Sequence, residues 1–176
     1  MLDNFFGRLL LWARYRSRSL ATNVRQFEAA AAAVENLVAA TPEPVLRGRR
    51  PVPALPGVTP IMRGWSAFMT IEYCNDVREA LLGLIAEFEA GREIDIGDIG
   101  RLDHPAECGP EVMPRFSDLA ARIARLPQVY PFTGAGTFVH PIFGRLVSRG
   151  AYALMAFHLQ LHVPQIRRSI ELNSQA

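Results

Sequence analysis

Pro42, Pro44, Pro51, Pro53, Pro56 and Pro60 crowd the stretch TPEPVLRGRRPVPALPGVTPIMRG, Thr41 to Gly64. Each proline removes a backbone donor and fixes φ, so neither a long helix nor an inner sheet strand can run through the segment. The chain must therefore fold as blocks joined by a long irregular connection, and the blocks themselves read as helices. From about Asn4 to Ala40 the sequence holds VRQFEAAAAAVENLVAA, rich in the best helix formers, with apolar residues recurring at three and four. SAFMTIEYCNDVREALLGLIAEFEA follows the prolines, with Ser66 placed as an N-cap and Gly91 as a C-terminal stop.

GREIDIGDIGRLDHPAECG is a second long connection, with a hint of extended structure only in EIDI. A third helix is predicted from about Pro110 to Leu126, interrupted near Pro114, and PQVYPFTGAGTFVHPIFGRL reads as a loop. The last helix spans about Ser148 to Leu172. With no internal repeat and no sheet in evidence, four main helices and two long crossings predict an all-α helix bundle.

At 176 residues the chain fits a single domain, 1–176, long enough to bury a real core. Apolar residues at 49% and charged residues at 20% exclude wholesale disorder. All 19 cationic side chains are arginine. Without lysine there is no Schiff-base chemistry, no lysine nucleophile and no phosphate-binding P-loop. The arginines are dispersed, as expected of a GC-rich genome, and give no nucleic-acid signal. Cys74 and Cys108 form no disulfide framework, which places the chain in a reducing cytoplasm. The opening MLDNFFGRLLLWARYRSRSLA is too short in its apolar run for a transmembrane segment. Residues 1–20 are expected to form a helical extension packed on the domain, or else a basic amphipathic helix against a membrane or partner.

The chemistry concentrates in FHLQLHVPQIRR. His158 and His162 lie close to one helical turn apart and share a face. Ala151, Met155, His158, His162, Gln165 and Ser169 alternate steps of four and three, a single seam that turns from apolar to polar at its middle. Two imidazoles aimed at one spot are satisfied either by a divalent cation or by hydrogen bonds in a core or cleft. Pro164 predicts a kink or a loosened bond at the carbonyl of Gln160. The residues between the histidines are Leu159, Gln160 and Leu161, so the zincin motif with its glutamate base is absent. TGAGTF lacks the strand and helix of a dinucleotide fingerprint. Asp103, His104 and Cys108 have ligand-like spacing, yet sit in a proline-containing loop and read as solvated.

Two landmarks resemble the DinB-like family of helical bundles. HPIFG, His140 to Gly144, is followed by His158, His162 and Gln165, and LPGVTPIMRGWSAFMTIEYCNDV matches a proline-containing lead into Trp-Ser and a helix with M-T-x-E. The resemblance covers roughly Pro53 to Ile170. It implies an up-up-down-down four-helix bundle, commonly a homodimer, with one divalent metal, often zinc or nickel, held by one histidine of the second helix and two of the last; in this chain iron is a further candidate. It also implies activation of a low-molecular-weight thiol for transfer to an electrophile.

The second-helix histidine of that pattern is Tyr73 here, directly after Glu72. A neutral phenol is a poor zinc ligand. Tyr73 can bind as phenolate or act as a proton donor, Asp76 or Cys74 can substitute, or the site is lost and the protein metal-free. Asp76 shares the helix face of Tyr73, whereas Cys74 points about 100° away. At the start of the last helix, Val147, Ser148, Arg149, Gly150 and Ala151 replace the family's cap, moving it to Ser148 and opening space. Two functions follow: a metal-dependent thiol transferase-like enzyme using His158, His162 and Tyr73, or a non-catalytic bundle. In the second, Tyr73, the two histidines and Gln165 form a hydrogen-bonded network that binds a small molecule or specifies the core.

Overall fold

The computed structural model describes residues 13, 17–95, 105–140 and 143–175. Among these residues five α-helices and a small sheet follow one another as α1 (Leu20–Ala39), α2 (Glu43–Arg47), α3 (Ala67–Glu89), β1 (Glu93–Ile94), α4 (Val112–Val129), β2 (Thr137–His140), β3 (Gly144–Leu146) and α5 (Ser148–Asn173), with a 3-10 turn at Ile61–Gly64 before α3. The all-α expectation holds in its main feature. The short sheet corrects it, because TFVH and GRL are strands within the segment expected to be a loop. β2 lies between its neighbours, parallel to β1 with Glu93 opposite Thr137, and antiparallel to β3 with Phe138 opposite Leu146.

Of the N-terminal extension expected over 1–20, all but Ala13 and residues 17–20 lies outside the described residues. α1 starts after Ser19, whose hydroxyl accepts from the Thr22 N–H at 3.2 Å. Ser66 caps α3 as predicted, accepting from the Met69 N–H at 3.1 Å. Gly91, at φ 78°, turns the chain out of that helix. Two details differ from the expectation. α4 runs unbroken through Pro114, which sits in the first turn where its missing N–H has no intrahelical partner to lose. The N-cap of α5 is Val147, with no side-chain cap, and Ser148 is already helical.

α3 packs most extensively on α5, α5 also packs on α1, and α4 closes against both α3 and α1. Phe27, Phe68, Phe88, Phe116, Tyr152 and Phe157 fill the space between them, each at most 1% exposed. The proline-rich connection is irregular apart from α2 and the 3-10 turn, and it is well held. Val52 and Arg63 exchange bonds, N–H to carbonyl at 2.9 Å and guanidinium to carbonyl at 2.8 Å. Its Val52, Val58, Met62 and Trp65 form a second apolar cluster with Met69 of α3. That cluster lays Gly57, Thr59 and Met62 against the polar half of α5. α5 itself is continuous through the exposed Pro164, where water can reach the carbonyl that the proline leaves unpaired.

The glycines of TGAGTF have a packing role. A Cβ on Gly134 would stand 2.2 Å from the carbonyl oxygen of Phe88, and one on Gly136 2.5 Å from the Phe88 Cα. The Gly136 N–H donates to that same carbonyl at 3.0 Å. The strand can therefore cross the end of α3 only where side chains are missing. Gly134→Ala and Gly136→Ala should each destabilise the fold by about 1–3 kcal/mol through overpacking against backbone that cannot yield. Urea denaturation reads this directly, and unchanged midpoints would contradict the close approach.

Candidate metal centre and pocket

The polar half of the α5 seam meets α3 where the apolar core ends. Ala151, Met155, His162, Gln165 and Ser169 are all buried, as their spacing predicts, and His158 is half-buried. The rings of His158 and His162 lie with centroids 4.6 Å apart and planes tilted by 58°. Tyr73 of α3 lies against both, at 5.2 Å from His158 and 5.5 Å from His162, and Trp65 backs it at 5.3 Å.

The third donor beside the histidines is Cys74. Its Sγ and a ring nitrogen from each histidine lie within 4.8 Å of one another, close enough to hold a metal ion. Adjacent helix positions differ by about 100°, yet Tyr73 and Cys74 both reach the histidine pair. Asp76 is engaged elsewhere. Its carboxylate pairs with Arg115 of α4 at 2.9 Å, and the same guanidinium takes Glu72 at 2.7 Å and also Glu79.

The donor chemistry fits a divalent cation. A thiolate and two imidazoles are borderline-soft ligands of the kind that select zinc, and three protein ligands leave a fourth position open. Tetrahedral bonds of about 2.0–2.3 Å place ligand atoms roughly 3.3–3.6 Å apart, so atoms within 4.8 Å of one another have at most about 1.5 Å to close, within reach of small side-chain rotations.

Gln165 prepares one of those ligands. Its Nε2 donates to the carbonyl of Met62 at 2.8 Å, which leaves Oε1 facing His162 Nδ1 at 2.8 Å. An amide oxygen can only accept, so His162 carries its hydrogen on Nδ1 and keeps the Nε2 lone pair available. This is the outer support that metal-binding histidines use to fix tautomer and ring orientation.

Cys74 is fully buried, and burial pushes its thiol up to about 12, against a smaller opposing pull from Arg78. Arg78 is itself buried in the core, and no carboxylate among the described residues forms an ion pair with it. It stacks over Phe116 at 4.1 Å, donates to the Cys74 carbonyl at 2.9 Å and to Asn75 Oδ1 at 2.5 Å, and burial lowers it to about 10. The guanidinium stays charged at neutral pH and sits one helical turn beyond Cys74. A cation at the donor trio is what such a site needs to ionise the thiol.

Beside the trio opens a pocket of about 280 Å³. Met62, Val77, Leu154, Phe157 and Leu161 give it apolar walls, while Tyr73, His158, His162 and His140 supply its polar atoms. His140 serves its turn as the sequence suggests, its Nδ1 accepting from the Phe143 N–H at 3.2 Å, and it also reaches the pocket wall. With Nδ1 accepting, the ring hydrogen sits on Nε2. Cys108 stays apart, half-buried near the second apolar cluster, with its thiol pushed up to about 11. Asp103 and His104 lie outside the described residues.

No family model, curated protein or solved structure matches the chain. No described helix is long and apolar enough to cross a membrane.

Burial alone pushes His140 down to about 4 from its ordinary 6.5. The unfolded chain therefore takes up this proton first as pH falls, and the folded state loses stability between about pH 6.5 and pH 4. His140→Asn keeps an acceptor for the Phe143 N–H and should flatten that loss. Urea midpoints compared at about pH 7 and about pH 4.5 test it, and an unaltered pH dependence would show that His140 is not held neutral.

Proposed function

We propose that the chain is a divergent DinB-like four-helix bundle that holds one divalent metal, zinc foremost, through Cys74, His158 and His162, and acts on a small molecule in the adjoining pocket. The single observation that carries this is the convergence of three ligand atoms from two helices at the edge of an apolar pocket. The ring of contacts α1–α5–α3–α4 supports the bundle, since consecutive long helices α1 and α3 face each other across it, as long crossings require. Thiol transfer to an electrophile is the reaction that the family resemblance implies, and a homodimer is the assembly that it implies.

A divalent metal here supplies positive charge that lets a thiol ionise near neutral pH. The protein's own residues do the rest. Gln165 holds His162 in the ligating tautomer, and Leu154, Phe157 and Leu161 exclude water. Tyr73 offers a hydroxyl proton from the α3 side, and His140 offers one from the far wall of the pocket. In this assignment Cys74 takes the ligand place that the family pattern gives to a second-helix histidine, which leaves Tyr73 as a proton donor.

A second reading rests on the chain from His162 through Gln165 to Met62, which is complete without an ion. It makes the site a hydrogen-bonded core in a non-catalytic bundle. Elemental analysis of purified, untagged protein separates the two. The metal reading predicts about one zinc, nickel or iron per chain, retained in Tyr73→Phe and lost in Cys74→Ala and in the His158→Ala, His162→Ala double variant. In Gln165→Ala metal affinity should fall about 10–100-fold. No metal after incubation with excess would leave the network reading standing.

A further inference from the structure

The pocket beside the donor trio contains a hydroxyl that the protein itself leaves unpaired. Thr59 lines the cavity, and its Oγ1 is shielded from solvent yet has no hydrogen-bond partner among the described residues. Most shielded hydroxyls in native structures are paired, because an unpaired one destabilises the fold, so this exception asks for a cause. The local chain explains why Thr59 stands there. The Val58 N–H donates to the Leu55 carbonyl at 3.1 Å and closes a turn with Pro56 and Gly57 at its centre. Gly57 has φ 83°, the left-handed conformation that the second central place of a type II turn requires. A Cβ on Gly57 would also stand 2.9 Å from Leu161 Cδ1, so the turn presses on α5 at a wall of the pocket. Val58, 4% exposed, then pins the chain in the second apolar cluster. With its backbone held, Thr59 can still rotate between staggered χ1 positions, so a group arriving in the cavity can recruit Oγ1 without moving the main chain.

The rest of the wall sets the class of ligand. His140 presents a neutral ring, because its Nδ1 accepts from the Phe143 N–H at 3.2 Å. Among the described residues no aspartate, glutamate or arginine lines the cavity. A charged group on the body of a ligand would lose its water against Leu154, Phe157 and Leu161 with no opposite charge beside them, which is costly. At about 280 Å³ the space is roughly twice the cavity of about 150 Å³ that encloses benzene, room for one ring and a short chain.

We propose that this pocket takes an uncharged, largely apolar molecule of that size, with an amide or ketone oxygen that accepts from the Thr59 hydroxyl. The same selection applies to the body of a thiol whose sulfur meets the metal. The inference rests on the reading of this cavity as the ligand site, but not on the metal.

The experiment titrates the full-length protein with phenylacetamide by calorimetry and thermal unfolding, beside phenylacetate and phenethylamine, which are close to it in size but charged at about pH 7. Titrations are run on the protein as purified and again after chelation, where no metal can hold the carboxylate, and the charge comparison is read from the second series. Saturable amide binding with a rise in Tm is expected, with the charged analogues at least about tenfold weaker. Thr59→Val keeps the shape and removes the hydroxyl. It should raise the Tm of the ligand-free protein, because an unpaired hydroxyl is gone, and yet weaken the amide about two- to tenfold. Thr59→Ser, which keeps the hydroxyl, should bind the amide as the parent does. Absence of amide binding, charged analogues that bind as tightly, or full amide affinity in Thr59→Val overturns the proposal. Metal content is measured separately, so a chain that takes up no metal but selects the amide contradicts the metal centre and supports this ligand class, and a metal-loaded chain that ignores the amide does the reverse.

Discussion

The contact between α3 and α5 changes chemistry along its length. At one end Ala151, Met155 and their neighbours pack dry against the aromatic core, and burial there drives the helices together. Further along, the same seam presents His158, His162 and Gln165, and α3 answers with Tyr73 and Cys74. Those polar groups sit where desolvation is costly, so each must find a partner. The position of the site, the tautomer of His162 and the elevated thiol of Cys74 all follow from that one constraint.

The proline-rich connection is what makes the constraint tolerable. Its own apolar cluster, Val52 with Val58, Met62 and Trp65, anchors it across the polar half of the seam. In that place Met62 offers a carbonyl to Gln165, and Gly57 and Thr59 help close the pocket. A segment whose prolines limit regular structure to one short helix and a 3-10 turn still has backbone carbonyls free to accept, and that of Met62 completes a buried network. On the other side, the β2–β3 hairpin is held by Phe138 and Leu146 in the core and carries His140 to the pocket wall, two residues beyond Phe138 on the same strand face. The hairpin also delivers Arg145 to a second cavity, beside Arg18 and Arg149 at the start of α5, so one small sheet borders both cavities.

Much of this was legible in the sequence, because helical periodicity is a strong signal over long segments. Ser66, Gly91 and the seam from Ala151 to Ser169 stand where their spacing put them. The sheet was not legible. TFVH and GRL are too short for alternation to show, and their pairing depends on glycines that let the strand cross Phe88. The choice between Asp76 and Cys74 as a donor beside the histidines was equally out of reach. Counting from Tyr73 along one helix favours Asp76, but Arg115, thirty-nine positions away on α4, captures that carboxylate. A partner helix decides which flank of α3 is buried, and a single sequence does not display the partner.

The central claim is that Cys74 and the two histidines bind one metal together. Titration with cobalt(II), followed by absorption, tests it most directly, because a thiolate ligand adds a sulfur-to-metal charge-transfer band in the near ultraviolet and tetrahedral geometry strengthens the visible bands. The account predicts both features, with the charge-transfer band absent in Cys74→Ser and both absent when His158 and His162 are replaced. Cobalt spectra that are the same with and without Cys74, or that stay those of the free aqueous ion, would contradict it.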